Sequence, residues 1–373
     1  MGSKQITGKQ MQSIIILFLF GSSLVIGTST KAKQDSWICI LIAAILALPI
    51  FFIYFRILDK YPGEGFYDIV IKVFGKIAGK VICFLYAWYA LHLGALVFRN
   101  FTEFMRVQVL KDTPSIIILC FGILLCIWTI YSGVKNMGSV SKAILPVLMT
   151  FILLTIVLCL KDMNFSNVEP VLTTDIPTLL TSSYSVVSFP FAETVVILPI
   201  FSFLKSEDKP RKVFLKAFGI SLIFLLLANL RNLFVLGATF SKSPYFSSYQ
   251  TVSVISVGEF FTRFEALVGA NYFLAGFVKV GICLFASSIG LAKVCSMKDY
   301  KPMAAPCGLI LIILSAVMYK NTEEMFNWLD IYTVYAVPFQ VIIPIILWIT
   351  IEIKAKREKQ TSVPESEQIG SLE

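Results

Sequence analysis

The sequence predicts an all-α integral membrane protein, and three observations of composition support this prediction. Hydrophobic residues make up 57% of the 373 residues and charged residues 15%, whereas soluble globular chains have roughly 45–50% and about 25%. The mean hydropathy is +0.81. Such an excess of apolar side chains requires lipid as its surroundings, which excludes a soluble multidomain protein and also a disordered chain.

Ten stretches of the chain can form transmembrane helices, since a hydrocarbon core of roughly 30 Å needs about 20 mostly apolar residues. In chain order these predicted spans are Met11–Thr28, Trp37–Leu58, Val81–Val109, Ser115–Ser132, Ala143–Leu160, Thr178–Leu204, Val213–Gly237, Ala266–Val294, Met303–Tyr319 and Phe326–Ile353. The first stretch could instead be a secretory signal, because Lys4 and Lys9 precede it. The Gly and Ser residues that interrupt it, and the nine spans that follow, favour a transmembrane span.

The ten spans predict a single transmembrane domain over residues 1–353. It divides into two halves of five spans, at about residues 9–160 and 177–353. Most Lys and Arg residues outside the spans lie on the same side as the N-terminus, and an excess of these residues marks cytoplasmic loops. We therefore expect both termini on the cytoplasmic side of the cell membrane. The polar residues 354–373 are predicted to form a disordered cytoplasmic tail.

Three connecting segments are more than short turns. Tyr67–Lys80 alternates apolar residues with lysines, which predicts a helix lying in the membrane interface. Ser206–Lys216 is a charged connector. Ser241–Phe260 is rich in Ser and Tyr, and it is either a lid over an external vestibule or a solvated loop.

Charge and cysteine content exclude several classes of function. The formal net charge of +9 does not indicate a nucleic-acid partner, because the basic residues stand in short tracts between apolar runs and orient the chain in the bilayer. The eight cysteines form no CxxC pair, so no metal site and no cofactor are expected. No HExxH, GxSxG or P-loop pattern is present, and the single histidine, His92, is interpreted as a packing residue. The protein is therefore not expected to be an enzyme.

Two of the spans contain residues that break helices. Span 1 contains Gly21-Ser22-Ser23, and span 6 contains Ser188-Phe189-Pro190-Phe191-Ala192-Glu193. Glycine costs about 1 kcal/mol inside a helix, and proline removes a helical hydrogen bond. Spans 1 and 6 hold corresponding positions in the two halves, which is typical of a transporter-type binding site. Freed amides there could bind a carboxylate and freed carbonyls a cation; the alternative is a pair of ordinary kinks.

Ionisable and polar side chains inside the spans mark further candidate positions. Lys279 lies in the middle of span 8, where an unpaired charge is costly and needs a partner. Glu193 is the candidate partner, and the alternative is a lysine that snorkels to the interface. Arg99 and Glu103 are spaced i, i+4 in span 3, which predicts a structural ion pair. Tyr89 in the same span can offer a hydroxyl to a buried cavity.

These residues together resemble the endospore germination permease family, the B subunits of nutrient germinant receptors and a branch of the amino acid–polyamine–organocation superfamily. The resemblance extends from about Gln5 to Lys356. Its most specific marks are Ser188 to Glu193, Thr262-Arg263-Phe264-Glu265-Ala266-Leu267 ahead of Lys279, and Arg99 to Glu103 followed by Thr113-Pro114. Ala192 stands where many members have Gly, which narrows or stiffens the break and weakens any inference of the ligand from relatives.

The resemblance implies two inverted five-helix repeats of the LeuT-like type, with helices 1 and 6 broken. It implies a sensor in the spore inner membrane that binds a small germinant, often an amino acid, and signals to partner A and C subunits. The pocket that it implies, with no metal, is lined by Gly21, Ser22, Ser23, Tyr89, Ser188, Phe189, Pro190, Phe191, Ala192, Glu193, Lys279 and Cys283. Two alternatives stay open, namely a proton-coupled amino-acid transporter and a scaffold for the partner subunits.

Overall fold

The computed structural model describes residues 5–27, 29–110, 112–237, 246–253 and 264–361. Over these residues the chain is helical, with one isolated β-bridge between Ile6 and Leu204. In chain order the α-helices are α1 (Gly8–Phe20), α2 (Ser36–Lys60), α3 (Phe66–Phe74), α4 (Lys76–Phe104), α5 (Ser115–Ser132), α6 (Val134–Cys159), α7 (Ile176–Val186), α8 (Pro210–Leu236), α9 (Ser247–Ser253), α10 (Glu265–Val294), α11 (Ala304–Val317), α12 (Thr322–Tyr335) and α13 (Ile343–Thr361).

The described residues form enough apolar helix for a multi-pass membrane protein. Eight helical stretches are long and apolar enough to cross a membrane, namely Thr30–Lys60, Lys76–Val109, Ser115–Ser132, Val134–Cys159, Ile176–Phe203, Pro210–Leu236, Glu265–Val294 and Thr322–Arg357. Two shorter apolar stretches, Gly8–Phe20 and Lys301–Val317, correspond to predicted spans 1 and 9. The predicted number of ten spans is consistent with this set.

The centre of the molecule is formed by α1, α4 and α10. Helix α10 packs along α4, and α1 packs against α6, α8 and α10. The most apolar windows of α5 and α6 are each only 22% buried, against 83% for that of α10. Helices α5 and α6 therefore expose apolar side chains to lipid, while the side chains of α10 lie inside the protein.

Within the described ranges, three π-turns interrupt the helices. Met105–Val109 extends α4, Val187–Phe191 follows α7, and Pro338–Ile342 separates α12 from α13. The second and third contain Pro190 and Pro338, which cannot donate a helical hydrogen bond. A tight 3-10 segment, Ala192–Phe203, follows the second turn. Span 6 is broken as predicted, whereas the break in span 10 was not predicted.

The predicted interfacial helix Tyr67–Lys80 is wrong in two respects. Gly75, with a φ of 81°, separates α3 from α4, so the segment is divided between two helices. The apolar side of α3 is also buried in the protein instead of facing lipid headgroups, through Phe66, Tyr67, Ile69, Val70 and Val73. The alternation of lysines with apolar residues therefore did not predict that the apolar face of this segment packs inside the protein.

Two other segment predictions fall partly outside the described residues. Helix α13 continues to Thr361, so the predicted start of the tail at Lys354 is too early. Residues 362–373 lie outside the described residues. Within the predicted lid or loop, Ser241–Phe260, residues 246–253 are described, and α9 occupies most of them.

Candidate ligand-binding site

Span 1 breaks at its predicted glycine. Helix α1 ends at Phe20, and Gly21 follows with a φ of 11° and a ψ of −111°. The amide of Gly21 still donates to the carbonyl of Leu17 over 2.9 Å. In the described part of the chain, the amides of Ser22 and Ser23 have no backbone acceptor. These two amides, and not that of Gly21, are available to an anionic group.

Span 6 breaks one residue before its proline. Phe189 has a φ of −137° and a ψ of 110°, which is an extended conformation between two helical segments. The helix resumes at Ala192, which places Glu193 in the first turn of the 3-10 segment. The ring of Phe191 packs edge-on against that of Phe218 in α8, with ring centres 5.0 Å apart. Phe189, by contrast, faces the cavities described below.

Lys279 and Glu193 form a fully buried ion pair. The Nζ atom of Lys279 lies 2.5 Å from Oε2 of Glu193, and the side chains have 0% and 1% exposure. The ammonium also lies 4.9 Å from the ring centre of Phe18 and 5.1 Å from that of Phe189. One carboxylate and two aromatic faces therefore compensate this cation. The predicted partnership is confirmed, and the snorkelling alternative is wrong because the ammonium is buried.

The glycine at the span 1 break also makes room for this lysine. A methyl group placed on Gly21 would overlap Cδ of Lys279 and lie 3.0 Å from the carbonyl oxygen of Phe18. The far end of Lys279 is held by Glu193, so the side chain cannot swing away freely. Gly21 is thus required for a close approach between α1 and α10.

We expect Gly21→Ala to lower the free energy of unfolding by about 1–3 kcal/mol, the usual cost of overpacking, because the methyl group must displace Lys279 from Glu193. Gly281→Ala is the matched control, since Gly281 lies in α10 two residues from Lys279 with no atom within 4 Å of an added methyl group. That change should raise stability by roughly 0.5–1 kcal/mol. Thermal unfolding of the purified chain measures both, and an equal loss in the two variants would contradict the close approach.

The second oxygen of Glu193 is the end of a directed chain of hydrogen bonds. The Tyr332 hydroxyl donates to Oε1 of Glu193 over 2.8 Å, and the Tyr332 and Tyr89 hydroxyl oxygens are 2.8 Å apart. The Nε2 atom of Gln340 donates to the Tyr89 oxygen over 2.8 Å. Because Tyr332 gives its proton to the carboxylate, Tyr89 must be the donor between the two tyrosines. Every donor in the chain is therefore oriented toward a charged Glu193.

Gln340 also joins the two proline-containing π-turns. Its Nε2 atom donates to the Ser188 carbonyl over 2.8 Å, and its own backbone carbonyl accepts from the Tyr54 hydroxyl over 2.6 Å. The same Tyr54 hydroxyl lies 3.3 Å from the carbonyl of Ala192. Carbonyls beside both breaks are thus satisfied within the protein, as membrane burial requires. Helix α2 and the two turns are consequently held together.

A small cavity, the central cavity, lies beside this network. Its polar lining consists of Ser22, Asn100, Glu193 and Tyr332, and its apolar and aromatic lining of Leu93, Leu96, Val97, Phe189, Tyr319, Met325, Trp328 and Leu329. Its volume of about 20 Å³ has room for one water molecule. Among the described residues, the Ser22 hydroxyl and Oδ1 of Asn100 are buried without a hydrogen-bond partner. Two unpaired polar atoms in a mostly apolar wall suit a small polar ligand.

The structure brings most of the predicted site residues together. Those that line the central cavity, or contact or hydrogen-bond a lining residue, are Ser22, Tyr89, Phe189, Glu193 and Lys279. Gly21 lies beside the Lys279 side chain at the break of span 1. Those that shape the break of span 6 are Ser188, Pro190 and Ala192. Three predicted lining residues do not line this cavity and contact other parts of the protein, namely Ser23, Phe191 and Cys283.

Each of these three placements has a packing reason. The Ser23 hydroxyl donates to the Leu19 carbonyl over 2.5 Å, so it closes the end of α1. Phe191 contributes to the contact with α8. Cys283 lies against Gly94 of α4, where a methyl group on the glycine would come within 2.9 Å of the cysteine Cβ. The position one helical turn from Lys279 therefore faces α4 and not the cavity.

Four residues of the site were missed by sequence reasoning, namely Tyr54, Asn100, Tyr332 and Gln340. Asn100 and Gln340 had a usable signal, because each is an uncharged polar residue inside an apolar span. Pro338 lies two residues before Gln340 and repeats the proline signal of span 6. The two tyrosines had no such signal, since the chain has 14 tyrosines and nothing in their spacing separates these from the others.

Two further predictions about span 3 are confirmed. Nη2 of Arg99 lies 3.6 Å from Oε2 of Glu103, and Arg106 approaches the other carboxylate oxygen at 2.7 Å. This cluster is a structural ion pair near the end of α4. His92 packs among aromatic rings, with its ring centre 4.9 Å from that of Tyr335.

Comparison with known proteins finds similarity across most of the chain. The family model described as Spore germination protein (Spore_permease) matches residues 5–325. The chain is 27% identical over 371 residues to Spore germination protein KB of Bacillus subtilis (strain 168), which covers 98% of this chain and 100% of that protein. It is 24% identical over 367 residues to Spore germination protein YndE of the same organism, with 96% and 99% covered.

Solved structures of transporters have a similar fold. A nucleobase-cation-symport-1 family transporter, in a closed conformation with bromovinylhydantoin bound, superposes with a TM-score of 0.62 at 13% identity over 90% of this chain and 76% of that chain. A Na⁺-coupled sialic acid symporter in a substrate-bound outward-open state gives a TM-score of 0.66 at 13% identity, with 91% and 78% covered. The likeness at this identity shows the fold alone, and it confirms the predicted LeuT-like fold class.

Proposed function

The chain belongs to the spore germination permease family, and we propose that it is the nutrient-sensing subunit of a spore germinant receptor. Family membership and fold support a role as a germination receptor subunit or a transporter in a membrane. The finer proposal is that a small amino acid binds at the central cavity. Binding would then be signalled to partner A and C subunits in the spore inner membrane, with both termini on the core side.

The observation that carries this proposal is the position of the Lys279–Glu193 pair, at the breaks of spans 1 and 6 and beside unpaired polar atoms. The two charges cancel, so a zwitterion can enter without leaving an uncompensated buried charge. The free amide of Ser22, which lines the cavity, suits its carboxylate. Oδ1 of Asn100 and the Glu193 carboxylate suit its ammonium group.

Binding at this cavity requires the protein to change shape. A volume of about 20 Å³ holds one water molecule and no amino acid, so the cavity must widen as the ligand enters. A ligand that binds the widened state more tightly shifts the population toward it. The span 6 break is tied by Gln340 to the π-turn that precedes α13, and midway along α13 Glu352 pairs with Arg56 over 2.6 Å. These contacts support a route from the cavity to the predicted cytoplasmic face.

The test is a thermal unfolding screen of the purified chain with a panel of amino acids, sugars and nucleosides. A ligand that binds only the native state stabilises it, by about 2.7 kcal/mol at a concentration one hundred times the Kd. We expect Asn100→Leu to abolish this ligand-dependent shift while the ligand-free protein keeps its stability, because the lost amide oxygen had no partner. Asn271→Leu is the matched control, since its Oδ1 atom is also buried and unpaired but does not line the cavity.

Three results would contradict the proposal. A shift that persists in Asn100→Leu, or that is lost equally in Asn271→Leu, would place the ligand elsewhere. If no compound in the panel shifts the unfolding temperature of the chain, the isolated subunit is not the sensor, and the scaffold hypothesis gains support.

The likeness to transporter structures favours a second candidate, a proton-coupled amino-acid transporter. In that case Lys279 or Glu193 would bind and release a proton in each cycle. Saturable, pH-dependent uptake into vesicles that contain only this chain would establish it. The chain of donors from Glu193 ends at the side-chain amide of Gln340, a group that does not ionise, and this favours the sensor over the transporter.

A further inference from the structure

A second and much larger cavity lies on the other side of Phe189. It occupies the space between Gly27, residues 29–31, α7 and α12, and its volume is about 500 Å³. We call this space the vestibule. It opens beside the exposed side chains of Lys31 and Asp330, on the face that the charge distribution predicts to be external. Phe189 lines both the vestibule and the central cavity, so its ring forms the partition between them.

The charged lining of the vestibule is balanced and easily rearranged. Among the described residues, Lys31 and Asp330 are the charged side chains that line it, and Nζ of Lys31 lies 2.6 Å from Oδ1 of Asp330. The two side chains are 67% and 64% exposed, and such surface pairs contribute little to stability. A ligand can therefore exchange with either partner at small cost.

The wall between these charges is rich in hydroxyl groups. Ser182 is 3% exposed and lines the vestibule, and its hydroxyl has no hydrogen-bond partner among the described residues. The hydroxyls of Thr181, Ser185 and Thr333 donate to backbone carbonyls, so their oxygens remain free to accept a hydrogen bond. The vestibule thus offers one cation, one anion and several acceptors.

We propose that the vestibule is a second binding site, for a zwitterionic amino acid. Lys31 binds the carboxylate of the ligand, Asp330 binds its ammonium group, and Ser182 with its neighbouring hydroxyls completes the polar contacts. A ligand with one charge would leave either Lys31 or Asp330 without a partner, whereas a zwitterion replaces both halves of the ion pair. The inference uses the proposed function for the class of ligand; the site itself is separate from the central cavity.

The difference in size gives the two sites different tasks. A cavity of about 500 Å³ admits any amino acid side chain, whereas the central cavity of about 20 Å³ must first widen. The vestibule therefore receives the ligand before the Phe189 ring moves. Selection among side chains then takes place at the central cavity.

The test measures protection of a vestibule cysteine in the full chain, reconstituted in vesicles. Exposed Cys120 and Cys295 are replaced by serine, Leu180→Cys is introduced at an exposed apolar residue of the vestibule lining, and the labelling rate with a membrane-impermeant thiol reagent is measured. The probes are a mixture of neutral L-amino acids, their methyl esters as cations, and their N-acetyl derivatives as anions. We expect the amino acids to protect at concentrations about tenfold lower than either single-charge set.

Charge variants of Lys31 and Asp330 test whether this ion pair selects zwitterions over single-charge ligands. Lys31→Met and Asp330→Asn should each abolish the preference for zwitterions, and the exchange Lys31→Asp with Asp330→Lys should restore it. Ile176→Cys is the control for the label, because Ile176 is exposed in α7 but does not line the vestibule. Its labelling should not change with any probe.

Three outcomes would overturn the proposal. Equal protection by zwitterions and single-charge analogues would show that the ion pair does not select the ligand. Protection that survives in both charge variants would show that the ion pair does not bind the ligand. Protection that disappears in Asn100→Leu would show that the vestibule only reports closure at the central cavity. That last result would contradict the second site and leave the proposed function intact. Binding at the vestibule without any response at the central cavity would contradict the proposed function and leave the second site intact.

Discussion

Removing either charge of the Lys279–Glu193 pair is expected to lower the free energy of unfolding by about 3–5 kcal/mol, while removing both together is expected to be nearly neutral. Each side chain is buried, with 0% and 1% exposure, so a single substitution leaves its partner charged and without compensation. The variants are Lys279→Met, Glu193→Leu and the double substitution. Thermal unfolding and the amount of folded protein in the membrane measure the effect.

The double variant also separates a structural role for this pair from a functional one. Single substitutions such as Lys279→Ala or Glu193→Ala would confound the germination response with loss of folded protein. The double variant keeps the fold, so an absent response to nutrient in spores that carry it would assign the pair to sensing. A normal response at unchanged nutrient concentration would contradict that role. If the single variants were as stable as the double variant, the pair would not be coupled at all.

Tyr332→Phe is expected to lower the free energy of unfolding by about 2–3 kcal/mol. A hydrogen bond to a charged group contributes more to stability than one between neutral groups, and Tyr89 also loses its acceptor. The Tyr332 hydroxyl donates to Glu193 over 2.8 Å and accepts from Tyr89 over 2.8 Å. The charge of Glu193 would then be stabilised by Lys279 alone. Thermal unfolding measures the loss, and ligand titration should show weaker binding at the central cavity.

Tyr335→Phe is a close control in the same helix. Tyr335 lies one turn from Tyr332, it is also part of the aromatic cluster, and its hydroxyl has no hydrogen-bond partner among the described residues. Its replacement should leave both stability and ligand binding unchanged. Equal losses in the two variants would show that aromatic packing, and not the directed chain of donors, accounts for the effect.

The helical membrane fold and the two broken spans could be predicted from the sequence, because both depend on local chemistry. Lipid demands long apolar runs, and glycine and proline act on the helix that contains them. The pairing of Lys279 with Glu193 could also be predicted, since a buried charge has few possible partners. Helix limits such as Ser115–Ser132 agree with the structure for the same local reason.

The contacts around the site could not be predicted to the same depth, because they depend on how neighbouring helices are rotated. Cys283 is one turn from Lys279, yet it faces α4. Gln340 reaches the span 6 break from within the π-turn at Pro338–Ile342, where the helical phase changes relative to α12. Nothing in a single sequence reports such a rotation. Of the four residues missed at the site, Tyr54 and Tyr332 had no signal in the sequence, whereas Asn100 and Gln340 had a polar signal that did not show which contacts they make.

The contrast in burial between the two ion pairs has a consequence for how the protein responds to dissolved salt. Mobile ions at 0.15 M screen exposed charges beyond a Debye length of about 8 Å and weaken surface pairs, but they do not enter a dry protein interior. The Lys31–Asp330 pair is open to them, and the Lys279–Glu193 pair is not. Ionic strength can therefore change how readily a nutrient is captured without changing the electrostatics of the site that decides whether it is recognised.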